Sequence, residues 1–158
     1  SATGKRYRYT ILNDPVRSPL LDRTSHQIRT QLDLDAMREA AKCLVGTHDF
    51  RAFAKEMRPL DDAVRTIHAL RIERVDRCVD IHVEGDGFLY NMVRIIAGTL
   101  MHVGLGKLHS SAVAGILAQK DRTQAGPTLP ARGLALLGVS FHKPSPVDRA
   151  PSHLGAHD

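Results

Sequence analysis

The apolar positions change period several times along the chain, and each change predicts an element. From residue 5 to 12 the pattern alternates, Arg6, Arg8 and Thr10 against Tyr7, Tyr9 and Ile11, the two-residue period of a half-buried strand. Asn13-Asp14-Pro15 ends it with turn chemistry, and residues 16–32 read as irregular. Leu34, Met37, Ala41 and Leu44 then recur at helical spacing, behind Asp33 or Asp35 as a cap and ahead of Gly46 as a left-handed terminator. Thr47-His48-Asp49-Phe50 reads as a short capped turn, followed by a weakly patterned loop through Asp62. Strands are predicted over 66–75 and 78–84. In the second, Val79, Ile81 and Val83 face one way and Asp80, His82 and Glu84 the other, and Val75-Asp76-Arg77-Cys78 is short enough for a hairpin. After Gly85-Asp86-Gly87, residues 89–103 form a strongly apolar helix closed by Gly104 and Gly106. Ser110 or Ser111 opens another helix running to about Gln119. A glycine- and proline-rich segment, 121–132, leads to a last apolar strand, 134–141.

Strand, helix, two strands, two helices and strand make an α+β domain, a mostly antiparallel sheet with helices packed on one face. Its expected extent is 1–142. From Lys143 three prolines and almost no apolar content predict a disordered tail over 143–158.

Composition narrows the function classes. With 158 residues, 42% apolar and 25% charged, the chain suffices for one globular core. The longest apolar run, 92–103, is interrupted by Arg94, Gly98, Thr99 and His102 and is too short to span a bilayer. With no signal peptide visible, the expectation is a cytoplasmic protein. Cys43 and Cys78 read as unpaired buried thiols. Among the nine histidines the one pair at metal-ligand spacing, His153 and His157, falls in the tail, so no metal is expected. His48-Asp49 beside Gly46 reads as a capping turn rather than a catalytic pair. Gly104-x-Gly106-Lys107 follows a helix instead of a strand, which speaks against a phosphate loop. The net charge is +5, and residues 1–32 hold six bases (Lys5, Arg6, Arg8, Arg17, Arg23, Arg29) against two acids (Asp14, Asp22). That surface suits a phosphate backbone, or serves only solubility.

One residue conflicts with its surroundings. Arg94 sits in Met92-Val93-Arg94-Ile95-Ile96, inside a helix apolar nearly all round. A guanidinium cannot shed its proton, so it must reach water or a carboxylate. Either a local acid such as Glu84 or Asp86 meets it, or it has a functional partner.

The residues around it carry a resemblance. Gly87-Phe88-Leu89-Tyr90-Asn91-Met92-Val93-Arg94-Ile95-Ile96-Ala97-Gly98-Thr99-Leu100, with Val103-Gly104 and Gly106-Lys107, closely resembles the TruA-type tRNA pseudouridine synthase motif in which an arginine pairs with the catalytic aspartate. Three stretches agree in the family's order. They are Ser1-Ala2-Thr3-Gly4-Lys5-Arg6-Tyr7-Arg8-Tyr9 (the tyrosine motif), Gly46-Thr47-His48-Asp49-Phe50-Arg51-Ala52-Phe53 with Arg65-Thr66-Ile67, and Asp121-Arg122-Thr123-Gln124-Ala125-Gly126-Pro127-Thr128 leading to Gly133-Leu134-Ala135-Leu136. The resemblance covers roughly residues 1–141.

It implies half of a pseudouridine synthase fold and isomerisation of uridine to pseudouridine in the tRNA anticodon arm, without cofactor or metal. Tyr7 would stack on the target base and later handle a proton. Arg94 would hold the catalytic carboxylate, and Leu136 would form part of the apolar floor under the uracil. Lys5, Arg6, Arg8, Phe88 and Asn91 would contact RNA. An aromatic face suits an unstacked base, and an arginine fork suits a carboxylate. The family's nucleophile lies in Gly-Arg-Thr-Asp-Ala-Gly, which does not occur in this sequence. Asp121-Arg122-Thr123-Gln124-Ala125-Gly126 is similar, but Gln124 stands in the aspartate's place and an amide is no nucleophile here. The expectation is therefore a C-terminal half, partnered by the missing N-terminal half and by a second copy in a homodimer, and inactive alone. The rival reading is a non-catalytic RNA-binding module of the same fold.

Overall fold

The computed structural model describes residues 4–55 and 57–140. The tail expected over 143–158, the end of the last strand at Phe141 and the first three residues of the tyrosine motif lie outside them.

The sheet is built around β1 (Gly4–Asn13). One edge of β1 pairs antiparallel with β5 (Cys78–Gly85), Tyr7 opposite Val83 and Ile11 opposite Val79. The other edge takes β6 (Leu134–Ser140), antiparallel, along Gly4 to Tyr9, and then β2 (His26–Ile28), parallel, along Ile11 to Asn13. Beyond β5 lie β4 (Val64–Val75) and β3 (Gly46–Asp49), both antiparallel. A hairpin joins β4 to β5 through Asp76, whose φ is +54°. A bulge shifts the β1–β6 register between Arg6 and Tyr7.

Helices α1 (Leu34–Ala41), α2 (Met92–Gly104) and α3 (Ala112–Gln119) share one core with the sheet. Tyr9, Ile11, Val79, Ile81 and Val83 are buried beneath Ile95, Ile96 and Leu100 of α2. Each such side chain removed from water stabilises the fold by about 1.5–3 kcal/mol. In α2 only Arg94 and His102 escape full burial. The closing segment crosses α2 at backbone contact: a Cβ on Gly98 would stand 1.8 Å from the Pro127 carbonyl oxygen. There Thr99 Oγ1 accepts from the Gly126 amide at 2.8 Å and donates to the Ile95 carbonyl.

Several local expectations change. Thr47-His48-Asp49 extends β3 rather than forming a turn, because Thr47 and His48 register against Thr66 and Arg65 of β4. Gly46 opens that strand at φ +111°, after a 3-10 turn over Lys42–Leu44 has ended α1. The irregular 16–32 stretch contains β2, too short to show a period. The apolar helix starts at Met92, not at residue 89, because Asn91 is left-handed (φ +62°) and breaks the helical path. The thiols of Cys43 and Cys78 are unpaired but only half-buried.

Candidate active site

Five residues named from the sequence meet at one place. Lys5, Tyr7, Phe88, Asn91 and Arg94 line an open cleft of about 360 Å³ at the start of α2, closed on its far side by Ala131 and Leu134. β1 supplies Lys5 and Tyr7 from one face, and the segment leading into α2 supplies Phe88 and Asn91.

Among the described residues, Arg94 is held but not neutralised. Its Nε donates to the Leu129 carbonyl at 2.7 Å and its Nη1 to Asn91 Oδ1 at 3.0 Å. The Leu129 amide donates back to the Arg94 carbonyl at 3.3 Å. A guanidinium carries five N–H donors, so these bonds fix the plane of the group and leave the remaining donors for an anion. Neither local acid meets it. Asp86 bonds His68 at 2.6 Å, and Glu84 stands opposite Arg6 on β1.

The helix end adds to the demand for negative charge. α2 begins with no side-chain cap bond and no acid in its first turn. Its free N–H groups and the positive end of its dipole lie beside Arg94 and Lys5. Anions bind readily at such an end. Asn91 makes the arrangement possible: asparagine tolerates the left-handed region, and there its carboxamide accepts from Arg94 instead of capping the helix.

Two tyrosines on the same face of β1 divide the work. Tyr9 is fully buried, its hydroxyl donating to the Pro130 carbonyl at 2.6 Å, and burial pushes its pKa up to about 12 against the opposing pull of Arg132 and Arg94. Tyr9 is a core residue. Tyr7 is half-buried and lines the cleft, its ring set edge-on to Phe88 with centroids 5.1 Å apart. That contact fixes the ring's orientation.

The other named residues lie elsewhere. Strand alternation sends Arg6 and Arg8 to the opposite face of the sheet: Arg6 lies over Gly138, and Arg8 stands opposite His82 with its Nε buried and without a hydrogen-bond partner. Leu136 faces Tyr7 across the β1–β6 pair and is 53% exposed, while Leu134 is the β6 residue that lines the cleft. Sequence reasoning missed the Leu129 carbonyl, which as a backbone group leaves no signature. It also passed over Tyr90, whose position inside the recognised motif was a usable signal.

On the opposite face Glu73, Asp80 and His82 bring ligand-type atoms within 4.8 Å of one another, among the described residues the one such group. Arg71 already stands 3.6 Å from Glu73, and Arg8 offsets the burial that raises the Asp80 carboxyl. With two guanidiniums against two carboxylates, this is a compensated charge network and a poor seat for a cation. No helix among the described residues is long and apolar enough to cross a membrane.

The sequence pattern of the family described as tRNA pseudouridine synthase matches residues 40–142. The chain is 46% identical over 142 residues to tRNA pseudouridine synthase A of Ruminiclostridium cellulolyticum, covering 89% of this chain and 58% of that protein. It is 50% identical over 139 residues to tRNA pseudouridine synthase A 2 of Clostridium tetani, covering 88% and 56%. For tRNA pseudouridine synthase A of Acetivibrio thermocellus the identity is 45%, with 89% and 57% covered. The chain thus spans less than three-fifths of the length of these relatives. The matched region runs from the end of α1 through the cation-bearing start of α2 to β6, and on that match the chain belongs to the tRNA pseudouridine synthase family.

Proposed function

We propose that this chain is the C-terminal part of a cytoplasmic tRNA pseudouridine synthase, with residues 1–142 as its subdomain, converting uridine to pseudouridine in the anticodon arm. The observation that carries the reading is Arg94: partly buried on an apolar helix, oriented by two neutral acceptors, and lacking a carboxylate among the described residues. A carboxylate arriving in the cleft would accept from the unspent N–H donors and stay ionised as a nucleophile, since a charged partner favours the charged form. Tyr7, steadied by Phe88, offers its ring to the uracil of a flipped nucleotide and its hydroxyl to a proton. Lys5 adds positive charge for a flanking phosphate. In the reaction the aspartate attacks the nucleotide, the glycosidic nitrogen–carbon bond breaks, and the base is rejoined through carbon. The aspartate comes from the portion of the relatives that this chain does not span, and the working enzyme is a homodimer. Arg6 and Arg8 contact RNA outside the cleft, and Leu136, opposite Tyr7 on β6, offers apolar surface to the base.

The test is pseudouridine formation on unmodified tRNA. The 158-residue chain alone gives none, and addition of an N-terminal segment bearing Gly-Arg-Thr-Asp-Ala-Gly restores it. Turnover by the chain alone would show that the nucleophile is among its own residues. RNA binding without restored turnover would favour the binding-module reading.

A further inference from the structure

The rim of the cleft carries an aromatic that no step above uses. Tyr90 lines the cleft yet is 70% exposed. An isolated exposed ring is ordinary on a protein surface. This one is fixed from two directions. The Lys55 amide donates to the Tyr90 carbonyl at 3.2 Å, and the Lys55 ammonium lies 5.6 Å from the centroid of the Tyr90 ring. That is within cation–π range, and the contact favours one presentation of the ring. The turn into α2 separates the two aromatics: Phe88 packs on Tyr7 inside, Leu89 is buried between, and Tyr90 projects outward.

We infer that Tyr90 and Lys55 form a second nucleotide subsite on the cleft rim, in which the ring stacks on the base adjacent to the target uridine and the ammonium meets its phosphate. The ligand is single-stranded RNA, an unpaired loop nucleotide whose face is free. Stacking of this kind tolerates any base, since every base has a π-face. The subsite rests on the proposed RNA-modifying reading and supplies what a flipping site needs, a hold on the neighbouring nucleotide while the target leaves the stack.

The chain contains no tryptophan, which makes the test clean. Tyr90→Trp places a single indole on the rim, and an unmodified anticodon stem-loop hairpin should quench it. The same hairpin made abasic at both nucleotides flanking the uridine should not. Tyr90→Ala should weaken binding of the intact hairpin about tenfold and leave binding of the abasic hairpin unchanged, whereas Tyr90→Phe should bind as the wild type does. Equal affinity of Tyr90→Ala and wild type for the intact hairpin overturns the subsite, and so does an equal loss on both hairpins. If Tyr90→Ala matches wild type while Lys5→Gln binds more weakly, the subsite alone fails. If wild type binds neither hairpin with the N-terminal segment bearing Gly-Arg-Thr-Asp-Ala-Gly also present, the RNA-modifying reading fails with it.

Discussion

Two partly buried arginines within the matched region show how one side chain serves structure or chemistry. Arg51 follows β3. Its Nε bonds both Asp49 oxygens at 3.0 and 3.1 Å, its Nη1 donates to the Arg58 and Pro59 carbonyls, and its Nη2 donates to the Asp61 carbonyl. The charge is neutralised and the fork is spent on ordering the loop that follows. Among the described residues Arg94 meets only two neutral acceptors, and it faces an open cleft beside a helix terminus of its own sign. The difference lies in unspent donors and uncompensated charge, not in exposure.

The sharpest way to break this comparison is to truncate Arg94. In the complete enzyme Arg94→Met should lower kcat for pseudouridine formation about 10³-fold, near the 3–5 kcal/mol cost of leaving a buried charge partner alone. The melting temperature of this chain should hold or rise, because no ion pair is lost; a large fall would make Arg94 structural. Arg51→Met should do the converse. Chemical denaturation should show a loss of about 2–3 kcal/mol, discounted from a fully buried pair because both side chains are about one-fifth exposed, with RNA affinity unchanged. Asn91→Asp would give Arg94 the kind of partner that Arg51 has, placing a carboxylate where an amide oxygen now stands 3.0 Å away. Asp tolerates the left-handed backbone, so the fold should keep its stability while turnover drops about tenfold, roughly 1.4 kcal/mol of competition for the fork. The smallest effect is on acid stability. Burial alone would raise the Asp49 carboxyl, but the bonds from Arg51 outweigh it and hold the group below the ordinary value. A depressed carboxylate contributes stability that is present above about pH 4 and lost as pH falls through the folded value. Arg51→Met should therefore flatten the stability curve below pH 4, and Arg94→Met should not.

Long regular elements were legible from the chain, and the conspicuous misplacements sit where one residue outvotes a pattern. β1 and the β4–β5 hairpin follow from alternation, strictest in β5, where every second residue is buried. The start of α2 was misplaced by three residues because hydrophobic content says nothing about Asn91 entering the left-handed region. β3 was missed because a four-residue polar edge strand owes its existence to its partner across the sheet. The site was legible as a motif, and the charge conflict at Arg94 was legible as physics. The same alternation sets Arg6 and Arg8, one residue away from Tyr7 on either side, on the face away from it. The Leu129 carbonyl and the Lys55–Tyr90 contact arise only when distant segments meet.

The crossing of Gly98 against Pro127 fixes how far Leu129 stands from the guanidinium it orients. A single methyl at Gly98 would wedge the two segments apart and let that carbonyl drift from its donor. A genetic screen for lost modification would then return a hydrophobic interior position, one turn along from the charge and touching no RNA, with the phenotype of a catalytic lesion.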